Sequence, residues 1–282
     1  MLKLAFVFPG QGAQFVGMSQ TFYQKYAIAR QTFEEANDTL GFDLAKLCFE
    51  GSLLDLNKLE YMFPALLVSS VVSFRVYMHD FGITPQFCAG HSLGEYSALV
   101  CAGAINFTDA LKIVHKRGLI SKEVAESGIG AMTIIDGIDK NIVEEECKKI
   151  SLPNREVAVS CFNSPTQTAI SGHFDAVRDA EDKIMQLGGQ ISPLLDSAPF
   201  HCSAMHSAAE NLKEVLLGYS YNYIRYPVIS NVTGVPYESS ESIIDMLTNQ
   251  LVKPVQWQTT LNYMQKKGVN LVIEMGPKNV LT

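Results

Sequence analysis

Apolar and polar positions along the chain follow two periods in turn. Residues 2–8 form a short apolar run closed by Pro9-Gly10, the pattern of a buried strand entering a turn. Helical spacing follows over residues 23–40 and 64–80. Residues 86–89 read as a brief strand and 93–102 as a helix, and Thr108 is placed to cap a further helix that runs to Ala125. Strands and helices in this alternation imply a parallel sheet covered on both faces.

Between Gly130 and Ser197 the rhythm changes. Strands are expected at 131–135, 156–161, 167–171 and 190–195, with charged amphipathic helices at 139–150 and 175–187. The order β-α-β-β-α-β is that of a ferredoxin-like unit. After Pro199 come a helix to Leu217, a strand at 228–231, helices at 240–251 and 258–267, and a strand at 270–274. The expected fold is therefore α/β. A hydrolase-like parallel-sheet core spans residues 1–128 and 198–282, and a small ferredoxin-like α+β subdomain is inserted at 129–197.

Composition narrows the function classes. The 282 residues are 47% hydrophobic and 18% charged, against about 25% charged in an average soluble chain. That balance supports a buried core and excludes a disordered protein. Lysine and arginine number 22 against 29 acidic residues, a net charge of −7 with no basic block. Nucleic acid and anionic membranes are therefore poor partners. The longest apolar stretch, 64–74, is broken by serines and ends at Arg75, so no segment is expected to span a bilayer. The first apolar run leads into Pro-Gly with no cleavage site of small residues, so it is a strand and not a signal peptide. Cys48, Cys88, Cys101, Cys147, Cys161 and Cys202 are scattered, with no C-x-x-C pair and no histidine at ligand spacing. Reduced buried thiols, no metal site and a soluble, cytoplasmic protein are expected.

Candidate chemistry begins at Gly90-His91-Ser92-Leu93-Gly94, a G-x-S-x-G pattern lying between an expected strand and an expected helix. A nucleophile elbow occupies that position, with the Leu93 N–H free to meet an oxyanion. A tight turn capped by a serine would look the same. A nucleophilic serine needs a base. His91 is its neighbour, and a sharp turn points the two apart, so His91 is expected to shape the site. His79 and His115 occupy helical surface positions, and His173 and His206 read as solvated or capping residues. His201 follows Ala198-Pro199-Phe200, where strand gives way to helix, and is the favoured base. Its spacing from His206 does not suit a metal pair on one helix face.

Arg117 shares a helix face with Ala110, Ile113, Val114, Ser121 and Val124, whereas Lys112 and Lys116 lie off it. A buried guanidinium requires an anion. The partner is either a protein carboxylate or the carboxylate of a substrate. Gly10-Gln11-Gly12 is no dinucleotide loop, because Phe15 occupies the third glycine position. It reads better as a turn that brings the Gln11 main chain towards the serine.

These segments coincide with a family. Phe8-Pro9-Gly10-Gln11-Gly12-Ala13-Gln14, Gly90-His91-Ser92-Leu93-Gly94-Glu95-Tyr96-Ser97-Ala98, Lys116-Arg117-Gly118, Asn163-Ser164-Pro165, Phe200-His201, and Gln250 with Pro254-Val255-Gln256-Trp257 follow in order. The chain closely resembles malonyl-CoA:acyl-carrier-protein transacylases of fatty-acid or polyketide assembly, from about Lys3 to Leu281. The resemblance implies Ser92 as nucleophile and His201 as general base and acid, with the Gln250 carbonyl holding the far nitrogen of the histidine. It implies an oxyanion hole of Gln11 and Leu93 N–H groups, Arg117 on the malonyl carboxylate, and Asn163 beside the pantetheine arm. Phe200 resembles malonyl-selective members. No cofactor is implied; the partners are malonyl-CoA and a phosphopantetheinylated acyl carrier protein, and the chain is expected to be a monomer. A serine hydrolase or thioesterase would use the same elbow.

Two segments depart from the family. Met62-Phe63-Pro64 replaces the usual Gln-Pro, so a polar contact beside the site is expected to be missing. Gly276-Pro277-Lys278-Asn279 lacks a third glycine, and a longer natural C-terminus is expected. Carrier proteins are usually acidic, so docking calls for a local basic patch, either Lys112, Lys116 and Lys122 or Lys266 and Lys267.

Overall fold

The computed structural model describes residues 2–194 and 197–282. The first stretch contains β1 (Leu4–Phe8), α1 (Gln20–Lys25), α2 (Ala27–Leu40), α3 (Leu44–Glu50), α4 (Leu53–Leu56), α5 (Leu59–Asp80), β2 (Phe87–Gly90), α6 (Gly94–Cys101) and α7 (Phe107–Glu126). The middle contains β3 (Gly130–Asp136), α8 (Lys140–Ile150), β4 (Val157–Phe162), β5 (Gln167–His173), α9 (Phe174–Gln186) and β6 (Gln190–Pro193). The last part contains α10 (His206–Leu217), β7 (Val228–Ile229), α11 (Ile243–Val252), α12 (Trp257–Lys266) and β8 (Leu271–Glu274). The expected strand at 190–195 extends to Leu195, which lies outside the described residues.

Strands β7, β2, β1 and β8 form a parallel sheet in that order. All five residues of β1 are buried, as helices on both faces require. Strands β4, β5, β3 and β6 form a separate antiparallel sheet. Numbered within the unit, that order is 2-3-1-4, the ferredoxin-like arrangement. One face packs Ile135, Val157, Val159 and Ile170 with Val143, Ile184 and other residues of α8 and α9. Met132, Cys161 and Ala169 instead join the larger core. The segment between α11 and α12 joins the edge of the antiparallel sheet: the Phe162 N–H donates to the Val255 carbonyl at 2.9 Å and the Val255 N–H to the Ser160 carbonyl at 2.8 Å.

The differences from the sequence reading have local causes. Tyr26 adopts extended backbone and divides the helix expected at 23–40 into α1 and α2. The short helices α3 and α4 are too brief to show a period. Asn106, not Thr108, precedes the first turn of α7. Helix α5 starts before Pro64, whose missing N–H frees the Glu60 carbonyl. His115 Nδ1–H on α7 donates to that carbonyl at 2.8 Å, so the half-buried His115 has a structural role that its expected surface position did not suggest. Running through Glu60 and Arg75, α5 reaches 22 residues and is long and apolar enough to cross a membrane. The serine-broken stretch 64–74 therefore understated it, and the expectation that no segment could span a bilayer is corrected as to length and apolarity. Of its most apolar window 67% is buried inside the protein, against α2, α6 and α7. All six cysteines are free and buried.

Candidate active site

The turn between β2 and α6 is made by glycines. A Cβ at Gly90 would fall 1.9 Å from the Gly94 carbonyl carbon, and one at Gly94 would fall 2.0 Å from the Phe8 carbonyl oxygen. With both positions bare, β1 and the start of α6 pack closely and Ser92 is forced to a left-handed φ of 50°. The Ser92 N–H donates to Asn231 Oδ1 at 2.7 Å, and Asn231 Nδ2 donates to the Gly90 carbonyl at 2.6 Å. Asn231, just beyond β7, thus clamps both sides of the elbow.

His201 sits in the turn before α10, also at a left-handed φ, of 65°. Its N–H donates to the Leu251 carbonyl at 2.8 Å. Nδ1 lies 2.6 Å from the Gln250 carbonyl oxygen, which can only accept. Nδ1 therefore carries the proton, and the Nε2 lone pair faces Ser92 Oγ at 2.8 Å. The serine hydroxyl donates into that lone pair, the arrangement that activates a nucleophile. Burial pulls the His201 pKa down to about 3, opposed by the Gln250 carbonyl and reinforced by Arg117 and His91. The imidazole is accordingly neutral, as a base must be. Gln250 Nε2 also donates to the Ser92 carbonyl at 2.9 Å, so one residue holds both groups, His201 by its main chain and Ser92 by its side chain.

The main-chain N–H groups of Gln11 and Leu93 donate to no group among the described residues. The turn bearing Gln11 lies against the elbow, since a Cβ on Gly10 would fall 3.5 Å from the Leu93 nitrogen. His91 points away from Ser92: its Nε2–H donates to Asn163 Oδ1 at 2.8 Å, and its ring meets Trp257 edge-on at 5.5 Å. Burial lowers its pKa, and the Asn163 bond opposes that shift.

Arg117 is 1% exposed. Among the described residues it forms no ion pair, and its Nε and Nη1 have no hydrogen-bond partner. Its guanidinium lies over the rings of Phe63 and Tyr96, each at 5.2 Å, and of Phe200 at 5.8 Å. Phe63 therefore offers a ring face where the resemblance would lead to the expectation of an amide. Of the two partners left open by the sequence, an internal carboxylate in contact is not found among the described residues. The guanidinium is held by aromatic faces with its hydrogen-bond donors left open. A cleft of about 850 Å³, lined by Lys140, Lys148, Phe162 and Gln256 among others, contains none of these site residues.

Two more side chains complete the site. Glu95 on α6 is fully buried and accepts from Gln250, Tyr237 and the Asn231 N–H. The sequence did hold a signal: Glu95 is an acidic residue in the short apolar segment 93–102. Asn231 and Tyr237 had none, because their roles depend on where the chain returns after β7. No cluster of three or more potential metal ligands occurs among the described residues.

Residues 5–282 match the family model described as an acyl transferase domain. A malonyl CoA-acyl carrier protein transacylase of Bacillus subtilis is 43% identical over 281 residues, covering 100% of this chain and 70% of the relative. One from Escherichia coli K12 is 41% identical over 283 residues, covering 100% of this chain and 91% of the relative. Among solved structures, a malonyl CoA-acyl carrier protein transacylase from Coxiella burnetii superposes with a TM-score of 0.96 at 38% identity, covering 99% of this chain and 89% of that one. A malonyl-transacylase in complex with a type II PKS acyl-carrier protein gives 0.95 at 41% identity, covering 99% and 90%.

Proposed function

Because the chain belongs to the acyl transferase domain family, we propose that it moves the malonyl group from malonyl-CoA to the phosphopantetheine thiol of an acyl carrier protein. The observation that carries this reading is the pairing of two features in one site. Ser92 Oγ donates to a neutral, buried His201, and Arg117 stands beside Phe200 with unused donors.

In this reading His201 Nε2 takes the Ser92 proton as Oγ attacks the thioester carbonyl. The Gln11 and Leu93 N–H groups receive the oxyanion. The tetrahedral intermediate collapses, the carbon–sulfur bond breaks, and the imidazolium returns the proton to the departing coenzyme A sulfur. The carrier thiol then gives its proton to His201 and attacks the malonyl-serine, and Ser92 recovers the proton as it leaves. The cycle is ping-pong, and the Gln250 carbonyl stabilises the imidazolium in both halves. Asn163 and His91 would line the path of the pantetheine arm.

Arg117 selects the acyl group. Leaving a buried charge without its partner costs about 3–5 kcal/mol. The three rings around the guanidinium remain in place without a carboxylate and retain part of the stabilisation. The lower end applies, so an acetyl group should be disfavoured roughly 150-fold.

A serine hydrolase would share the elbow and histidine and differ in what empties the acyl-enzyme. Initial rates measured against malonyl-CoA at several concentrations of loaded carrier should give parallel double-reciprocal lines. Intersecting lines, or carrier-independent release of malonate at the same rate, would overturn the reading.

A further inference from the structure

Glu95 lies behind the nucleophile elbow and takes no part in the steps above. Its Oε2 accepts from Gln250 Nε2 at 2.5 Å, and its Oε1 accepts from Tyr237 Oη–H at 2.6 Å and the Asn231 N–H at 3.1 Å. Gln250 passes this hold to both reacting groups. The same Nε2 donates to the Ser92 carbonyl, and the Gln250 carbonyl receives His201 Nδ1–H. Asn231 passes it to the other side of the elbow, through the Ser92 N–H and the Gly90 carbonyl. One buried carboxylate therefore ties together α6, α11 and the segment after β7.

We propose that Glu95 is a positioning residue for acyl transfer, holding Gln250 and Asn231 so that Ser92 and His201 stay aligned, and that it holds them best when ionised. The inference rests on the malonyl-transfer reading.

The donor set is the reason for the last clause. The Asn231 N–H and Gln250 Nε2 can only donate, and a protonated carboxyl, whose oxygens still accept, is a weaker acceptor for them than the charged carboxylate. Of the three partners only the Tyr237 oxygen can accept, and doing so would turn its own hydrogen away from the carboxylate. Protonating Glu95 thus reverses the Tyr237 bond and weakens the charge-assisted bonds from Gln250 and Asn231 that fix the elbow. Four groups face it: Gln250 from α11, Asn231 and Tyr237 from the segment after β7, and Arg117 from α7. Arg117 and the three donors favour the anion. Burial outweighs them and pushes the Glu95 pKa up to about 7, whereas His201 titrates far lower, near 3. A loss of rate on acidification through neutrality would therefore report Glu95 and not the histidine.

The test is the rate of malonyl-enzyme formation from malonyl-CoA alone, followed by rapid quench and intact mass from about pH 5 to 9. The wild-type rate should rise through neutral pH to a plateau. Glu95→Gln, checked for native circular dichroism, should lose that pH dependence. Its plateau rate should fall about 10- to 100-fold with little change in KM, since its amide must turn a donor towards either Gln250 or the Asn231 N–H. Tyr237→Phe removes one donor to the anion and should move the rise to higher pH. It also carries the test if Glu95→Gln does not fold. A Glu95→Gln enzyme that keeps the wild-type pH dependence overturns the proposal. So does a Tyr237→Phe enzyme whose rise has not moved, or a wild-type rate that is flat across the range. Failure of wild-type protein to accept malonyl at any pH would instead contradict the functional reading itself.

Discussion

Arg117 concentrates the selectivity of the site in one side chain. Its helical spacing showed in the sequence that it faces inward, but not what it meets, because Phe63, Tyr96 and Phe200 come from three other parts of the chain. Removing it as Arg117→Ala should lower kcat/KM for malonyl-CoA by roughly two to three orders of magnitude, corresponding to about 3–4 kcal/mol. The rate with acetyl-CoA should fall far less, so that the ratio of the two narrows. Competition between the two thioesters measures this; an unchanged ratio would remove Arg117 from acyl recognition. Ser92 and His201 were legible for a related reason, since a backbone turn and its neighbours mark each of them. Glu95 was in view as part of the quoted motif, but its partners Asn231 and Tyr237 are brought to it only by the fold.

At the scale of elements, the elbow is a packing device as much as a catalytic one. Helix α6 can start beside Phe8 only because Gly94 has no side chain; a methyl group there would meet main-chain atoms that cannot turn aside. Gly94→Ala should therefore destabilise the protein by about 3 kcal/mol or more and lower its thermal midpoint, with activity lost alongside. A midpoint equal to wild type would show that the close approach is not required. Elements with a clear apolar period or a strong turn, such as β1, α7 and the β-α-β-β-α-β run, were legible in the sequence. The break at Tyr26 and the pairing of His115 with the Glu60 carbonyl were not. Each depends on a partner element and leaves no periodic trace.

The whole molecule is acidic, yet its proposed partner is expected to be acidic too. Lys112 and Lys116 are exposed on α7, the helix that also carries Arg117, whereas Lys122 is already paired with Glu60 at 2.8 Å. Reversing charge at Lys112 and Lys116 should raise the carrier KM several-fold, more at low salt than at high, and leave acylation by malonyl-CoA unchanged. An unaffected carrier KM would direct attention to Lys266 and Lys267, which are exposed at the end of α12. The sequence showed a large α/β body and a small inserted unit; we propose residues 129–197 as that unit, since a separate cluster of buried side chains lies wholly within it. How its other sheet face joins the larger core was not legible, because Met132, Cys161 and Ala169 look like ordinary strand residues in the sequence. The reaction proposed for the assembled molecule is tested most directly by intact mass after exposure to malonyl-CoA, before and after addition of phosphopantetheinylated carrier. The wild-type protein should gain one malonyl group on Ser92, keep it in buffer and lose it to the carrier, while Ser92→Ala gains none. A label that decays as fast without carrier as with it, or that forms on Ser92→Ala, would contradict malonyl transfer through Ser92.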